Sequence, residues 1–269
     1  MKGSDNAKIV LQKVVDGCFA VMPRPLPDRD RLEKCRIISH RGEHDNHRVF
    51  ENSLEAFDRV RDQGVWGIEL DIRWTKDLHP VVFHDRDLKR LVHDRSRIDD
   101  LPWSVLKERY PFVPSLETVI ARYGKSMHLM VEIKEEMGPD REKQNRILND
   151  LFSPLEPQID FHFLSLNPAI FRQLEGVSAG TCLPVSELNV RRISDIVLEE
   201  NYGGITGHYL LLTARYLSKH RQNGQKVGTG FTRSRNGLYR ELNRGIEWIF
   251  TNHAVKLQSI LNAARGLRN

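Results

Sequence analysis

The chain has 269 residues, 39% hydrophobic and 29% charged, the make-up of a globular protein large enough for one barrel or two smaller domains. Forty-one Lys and Arg against 36 Asp and Glu leave a net charge of +5, a modest excess that suits anionic partners such as phosphates or phospholipid surfaces. With no lysine-rich tail and no RNA-binding motif, nucleic acid is excluded as a partner. Cys18, Cys35 and Cys182 are widely spaced and odd in number, so they read as free thiols in a reducing compartment, the cytoplasm.

Ile9 to Met22 is apolar but interrupted by Lys13 and Asp16, and it is too short to span a bilayer. It is expected to form an amphipathic helix closing one end of the fold, with transient contact to a membrane surface as the alternative. Pro23, Pro25 and Pro27 end it, so residues 1–35 read as an N-terminal helix and a Pro-rich connector, and 36–269 as the main domain. Cys35 to Ser39 is a short apolar run that delivers His40, Arg41 and Gly42 to its C-terminal end. After a polar loop, Asn52 or Ser53 caps a helix in which Leu54, Phe57 and Val60 recur at helical spacing until Gly64.

The next stretch, from Gly67 to Asp85, is the most informative in the chain. Alternate side chains of a strand share a face, so Glu69 and Asp71 point one way while Ile68, Leu70 and Ile72 point the other. Buried carboxylates need a compensating cation, and a metal ion or arginines could supply it. The link from Trp74 to Val81 is far too short for a parallel crossover. A hairpin is expected instead, and it returns His84 to the level of the two acids.

Pro114 and Ser115 open a helix over Leu116 to Tyr123, and Met127 to Ile133 is a nearly continuous apolar strand followed by Lys134. Further strand-like runs sit at Phe161 to Leu166, Ala179 to Val185, Gly204 to Tyr209, Lys226 to Phe231 and Trp248 to Thr251. Setting the hairpin aside, eight strand–helix units result, which predicts an α/β protein of the (β/α)8 TIM barrel class. A doubly wound open sheet is the competing architecture, but its first strand would lead into a glycine-rich phosphate loop, and HRGEHD is not one. Barrels of this class gather active residues at the C-terminal strand ends, where His40, Arg41, Glu69, Asp71, Glu132 and Lys134 all fall. Among the other polar residues, Glu51 reads equally as a first-turn acid and as a group at the mouth. The arginine-rich stretch from Arg233 to Arg244 reads as a solvated helical face.

Six segments in this order, HRG at 40–42, ENS at 51–53, IELD at 68–71, VVFHD at 81–85, PSLE at 114–117 and VEIK at 131–134, resemble the glycerophosphodiester phosphodiesterase family. They cover the first half of the chain. The resemblance implies a TIM barrel that hydrolyses a glycerophosphodiester to sn-glycerol 3-phosphate and an alcohol. It implies His40 and His84 as the acid/base pair, Glu69, Asp71 and Glu132 as ligands of a divalent cation, and Arg41 and Lys134 as phosphate contacts; Glu51 is assigned with these two to substrate binding. Three carboxylates offer only hard oxygens, which favours Mg²⁺ or Ca²⁺ over zinc. The chain departs from the family pattern at Phe50, in place of a proline, and at Glu43, in place of a glycine. The same holds for Gly230-Phe231-Thr232-Arg233, in place of WTVN, and for Thr251-Asn252, in place of TD. Only 29 residues separate His84 from Pro114, so the compact type without a large inserted cap is expected. A phospholipase D-type activity on lysophospholipids or sphingolipids is the competing enzyme reading. A non-catalytic barrel that binds phosphorylated metabolites is the third.

Overall fold

The computed structural model describes residues 17, 19–134, 138 and 140–267. The expected helix over Ile9 to Met22 therefore lies mostly outside the described residues, as does Cys18. Eight parallel strands form the barrel: β1 (Arg36–His40), β2 (Gly67–Trp74), β4 (His128–Ile133), β5 (Phe161–Ser165), β6 (Cys182–Ser186), β7 (Gly204–His208), β8 (Lys226–Gly230) and β9 (Trp248–Thr251). Each pairs with the next, and β1 closes the cylinder by pairing with both β2 and β9. The short strand β3 (Pro80–Val82) runs antiparallel to the end of β2, with Ile72 opposite Val82 and Trp74 opposite Pro80. This is the hairpin that the short link required.

Alternation along the strands divides the core in two. Ile68, Leu70 and Ile72 of β2 join Leu129, Val131 and Ile133 of β4 in the layer between sheet and helices. Inside the cylinder, Ile38, Met130, Leu164, Leu183, Trp248 and Phe250 form a smaller apolar plug. Glu69, Asp71 and Glu132 stand above that plug, so the barrel is packed and not a pore. Both Cys35 and Cys182 are free and buried.

Three helices of the outer ring start on a serine cap, the third with Ser234 accepting from the Gly237 amide. Ser53 Oγ accepts from the Ala56 amide to open α2 (Leu54–Arg61), and Ser115 does the same for α5 (Leu116–Tyr123). Between them come α3 (Lys89–Val92) and α4 (Trp103–Arg109), followed around the barrel by α6 (Arg141–Phe152), α7 (Val190–Glu199), α8 (Ala214–Gln222), α9 (Arg235–Asn243) and α10 (Ala254–Gly266). A 3-10 turn, Pro168–Gln173, stands in the crossover from β5 to β6. α1 (Arg29–Lys34) precedes β1, and Asn243 of α9 donates to the Pro25 carbonyl, so the Pro-rich connector lies along the barrel wall.

One reading needs correction. The stretch Arg233 to Arg244 is no freely solvated face, because Arg240 and Arg244 both pair with the fully buried Glu241, and Arg244 also reaches the Tyr209 and Leu212 carbonyls. A buried carboxylate needs such partners, and helical spacing alone does not reveal them.

Candidate active site

At the end of β1 the chain turns through two residues with positive φ, Arg41 at 62° and Gly42 at 81°. A side chain on Gly42 would come within 2.7 Å of Ala56, so glycine is required there by both space and conformation. The turn aims Arg41 inward: its Nε lies 3.0 Å from Asp71 Oδ2 and its Nη1 donates to Glu51 Oε1 at 3.0 Å. Asn52, which is not the helix cap, donates to Asp71 Oδ2 at 2.8 Å.

Glu69 and Asp71 of β2 and Glu132 of β4 bring carboxylate oxygens within 4.8 Å of one another, all buried. Lys134 Nζ bridges Asp71 Oδ1 and Glu132 Oε1 at 2.8 and 2.7 Å. Both oxygens of Glu69 are buried without a hydrogen-bond partner. Burial and the charges of Asp71 and Glu132 push the Glu69 carboxyl well above the usual range, and Glu132 is raised in the same direction, chiefly by burial. Asp71 goes the other way: against the burial that alone would raise it, Lys134 and Arg41 hold it low. An unpaired buried carboxylate beside two others is what a hard divalent cation would satisfy, so the residues present fit such an ion.

The two imidazoles flank this cluster. His40 Nδ1 lies 2.6 Å from Asn252 Oδ1, an acceptor, which leaves Nε2 turned toward Glu69 Oε2 at 3.8 Å. Burial, helped by Arg41, pushes the His40 pKa down to about 3, so the ring is neutral. His84 is delivered by the hairpin: the Phe83 amide donates to the Asp71 carbonyl at 2.9 Å, and Arg73 Nε holds the His84 carbonyl at 2.8 Å. Its Nδ1 donates to Asp85 Oδ1 at 2.7 Å. Asp85 is in turn held by Arg90 at 2.5 Å, and Arg90 grips Glu51 with both terminal nitrogens, at 3.0 and 2.5 Å.

Glu51 therefore sits behind the mouth. Arg41, Arg90 and Asn46 occupy its oxygens, and against its burial they hold its pKa to about 2. Sequence reading missed Asn52, Asp85, Arg90 and Asn252. The ENS, HD and TN segments contained three of them, but their partners lie up to 212 residues away.

These groups share a cavity of about 630 Å³ at the C-terminal mouth. One arc, from β1, β2, the hairpin and β4, carries His40, Arg41, Glu69, His84, Glu132 and Lys134. The facing arc, from β5 to β9, is mostly apolar, with Leu164, Val185, Leu211, Phe231 and Phe250 on the wall and Leu166, Leu188 and Leu210 exposed at the rim. Ser186, Glu187, Thr206 and His208 interrupt it.

The fold and site define a (β/α)8 barrel whose C-terminal mouth holds a carboxylate cluster between two oriented imidazoles. Residues 40–255 match the sequence model of the glycerophosphoryl diester phosphodiesterase family, and the chain belongs to that family. It is 39% identical over 75 residues to a glycerophosphodiester phosphodiesterase of Caldanaerobacter subterraneus subsp. tengcongensis, a match covering 28% of this chain and 30% of that protein. It is 35% identical over 97 residues to human glycerophosphodiester phosphodiesterase 1, covering 36% and 27%. The chain thus matches less than a third of the length of either relative. In three dimensions it is similar over 84% of its length to 98% of a glycerophosphodiester phosphodiesterase from Thermotoga maritima, with a TM-score of 0.70 and 24% identity. An Oleispira antarctica phosphodiesterase solved with the product sn-glycerol-3-phosphate gives 0.69 at 21% identity, over 84% of this chain and 96% of that one. Among the described residues no helix is long and apolar enough to cross a membrane.

Proposed function

We propose that the protein hydrolyses glycerophosphodiesters to sn-glycerol 3-phosphate and an alcohol, with Glu69, Asp71 and Glu132 holding a divalent cation, Mg²⁺ or Ca²⁺. Bound there, the cation would polarise the phosphate as a Lewis acid. The observation that carries the reading is the pair of imidazoles, each fixed through Nδ1, flanking an acidic cluster in which both Glu69 oxygens lack a partner.

The chain's own groups divide the remaining work. A phosphodiester is anionic and its leaving alkoxide is poor, so charge must be neutralised on both sides as the bond breaks. Arg41 and Lys134, now paired with Asp71 and Glu132, supply the cationic contacts to phosphate oxygens, the guanidinium by its fork and the ammonium as a point charge. Glu51 and Asn52 keep Arg41 and Asp71 in place. The neutral His40 has Nε2 free to take a proton from the attacking hydroxyl. His84, whose Nδ1 proton is committed to Asp85, can hold a second proton on Nε2 and give it to the leaving oxygen.

The test is release of sn-glycerol 3-phosphate from glycerophosphocholine or glycerophosphoethanolamine with Mg²⁺ or Ca²⁺ present. Turnover abolished by a chelator and restored by the ion is expected. Calorimetric binding of the ion without turnover of any such diester would overturn the proposal.

A further inference from the structure

A second cavity, of about 400 Å³, opens at the opposite, N-terminal end of the barrel. The links that lead into β5, β6, β7 and β8 wall it, and the first residue of β9, Trp248, completes the lining. None of the groups assigned to phosphate, metal or proton transfer lies here. In a barrel of this class the N-terminal face ordinarily serves stability alone.

One lining residue asks for more than that. His162 of β5 is only 3% exposed and still faces the cavity. Its hydrogen bonds fix where its proton sits. His128 Nδ1 lies 2.7 Å from the Ile159 carbonyl, an acceptor, so that nitrogen carries a hydrogen. Burial lowers the His128 pKa to about 4 and keeps the ring neutral, which leaves Nε2 as a lone pair. His162 Nδ1, 2.8 Å away, therefore donates to it. His162 is neutral as well, lowered to about 3 chiefly by burial. Its Nε2 is then a second lone pair, without a partner among the described residues. A fold seldom leaves a buried acceptor without a donor, and stability alone gives no reason to aim one into a cavity.

The rest of the lining has the same character. Asn223 spends its amide hydrogen on the Lys219 carbonyl at 2.8 Å, and Gln158 points its amide nitrogen at Ser178 Oγ at 3.5 Å, so each keeps its amide oxygen uncommitted. The side chain of Asn201, on the same lining, has no partner among the described residues. Lys226 is the one charged side chain on the lining, and it is answered by Glu247 at 3.4 Å and by the ring of Trp248 beneath it. The cavity is thus rich in acceptors that want hydrogens and carries no unanswered charge. An anion would meet the imidazole lone pair head-on, and a cation would meet Lys226.

We propose that this cavity is a binding site for a small uncharged polyol or monosaccharide, one hydroxyl of which donates to His162 Nε2 while others meet the amides of Asn201, Asn223 and Gln158. Water can satisfy one such acceptor at a time, whereas adjacent hydroxyls on one carbon frame satisfy several together and lose less freedom in doing so. The site is independent of the chemistry proposed for the mouth.

The experiment titrates the full chain, labelled with ¹⁵N-histidine, with myo-inositol and with D-glucose, and follows the His162 Nε2 resonance, assigned by its loss in His162→Phe. At least one of the two is expected to bind saturably in the millimolar range and to move that resonance toward the protonated-nitrogen region, as a lone pair does when it accepts a hydrogen bond. Ligand-observed saturation transfer should show affinity falling about tenfold in His162→Phe, the worth of one hydrogen bond to a buried group. It should fall at least as far in Asn223→Trp, an exposed position where the indole covers the entrance without touching the imidazole pair. Three results would each overturn the proposal: no saturable binding of either compound, full affinity retained in either variant, or inorganic phosphate moving the His162 resonance at lower concentration than both.

Discussion

Replacing Glu69 by Gln separates what its carboxylate costs the metal-free fold from what it does for cation binding. In the metal-free protein this carboxyl is buried, 2% exposed, without a hydrogen-bond partner, and its pKa is raised well above 4.5. A raised carboxyl is protonated more readily in the folded chain than in the unfolded one, so it contributes most to stability below the unfolded value. That contribution is lost as pH rises from 4.5 through the folded value. At pH 7 the cost to the fold has a ceiling of about 3 kcal/mol, the work of protonating a group with an unfolded pKa of 4.5 at about 1.4 kcal/mol per pH unit. Glu69→Gln removes that cost while keeping the shape. In a chelator the variant should therefore be more stable by about 1–3 kcal/mol, a rise in Tm of several degrees for a domain of this size. Added Mg²⁺ or Ca²⁺ should raise the Tm of the native chain by an amount that grows with ion concentration, and should leave the variant nearly unmoved. Calorimetric scans at pH 7 with and without the ion decide the matter. A variant that is less stable in chelator, or that keeps the full ion-induced shift, would show that Glu69 is compensated by the protein and is not waiting for a cation.

Two further outcomes follow from the hydrogen-bond pattern. Asp85→Asn keeps an acceptor near His84 but removes the carboxylate that fixes its ring and frees Arg90, so kcat should fall about 10²-fold with KM changed by less than about twofold; steady-state kinetics giving the reverse split would remove Asp85 from the machinery. At the closed end of the barrel, His128 Nε2 and His162 Nδ1 are 2.8 Å apart, with His128 Nδ1 bonded to the Ile159 carbonyl. Burial lowers their pKa values to about 4 and about 3, the second helped by the neighbouring imidazole. Groups kept neutral in the fold cost nothing above pH 6.5 and weaken it as pH falls from there toward 4, because the unfolded chain takes up the protons first. Urea unfolding at about pH 7 and pH 5 should show a loss of about 2–4 kcal/mol that His162→Phe reduces; an equal loss in that variant would count against the pair as its source.

The parts of the site that were legible in sequence are those carried by one strand or one turn. Alternation placed Glu69 and Asp71 on the inner face of β2, and the brevity of the Thr75 to Pro80 link forced the hairpin that carries His84. What could not be read were partnerships through space. Asn252 meets His40 across the β1–β9 seam where the barrel closes, and Arg90 meets Glu51 from α3, 39 residues further along the chain, so no local spacing records either. The partners of Glu51 were hidden for the same reason, since its neighbours in sequence do not show that two guanidiniums enclose it. Phe50, unexpected beside ENS, has a packing explanation: it stacks on Phe112 at 4.2 Å.

The separation of the mouth into a charged arc and a carbon-rich arc has a consequence for how such a protein can change. Every residue proposed to touch the reacting phosphorus, its ion or its protons sits on three neighbouring strands and one hairpin, apart from the amide of Asn252. The loops after β5, β6 and β7 can therefore be rewritten for a new ligand without moving any of those groups, and a shift in diet for this barrel need not be a shift in chemistry.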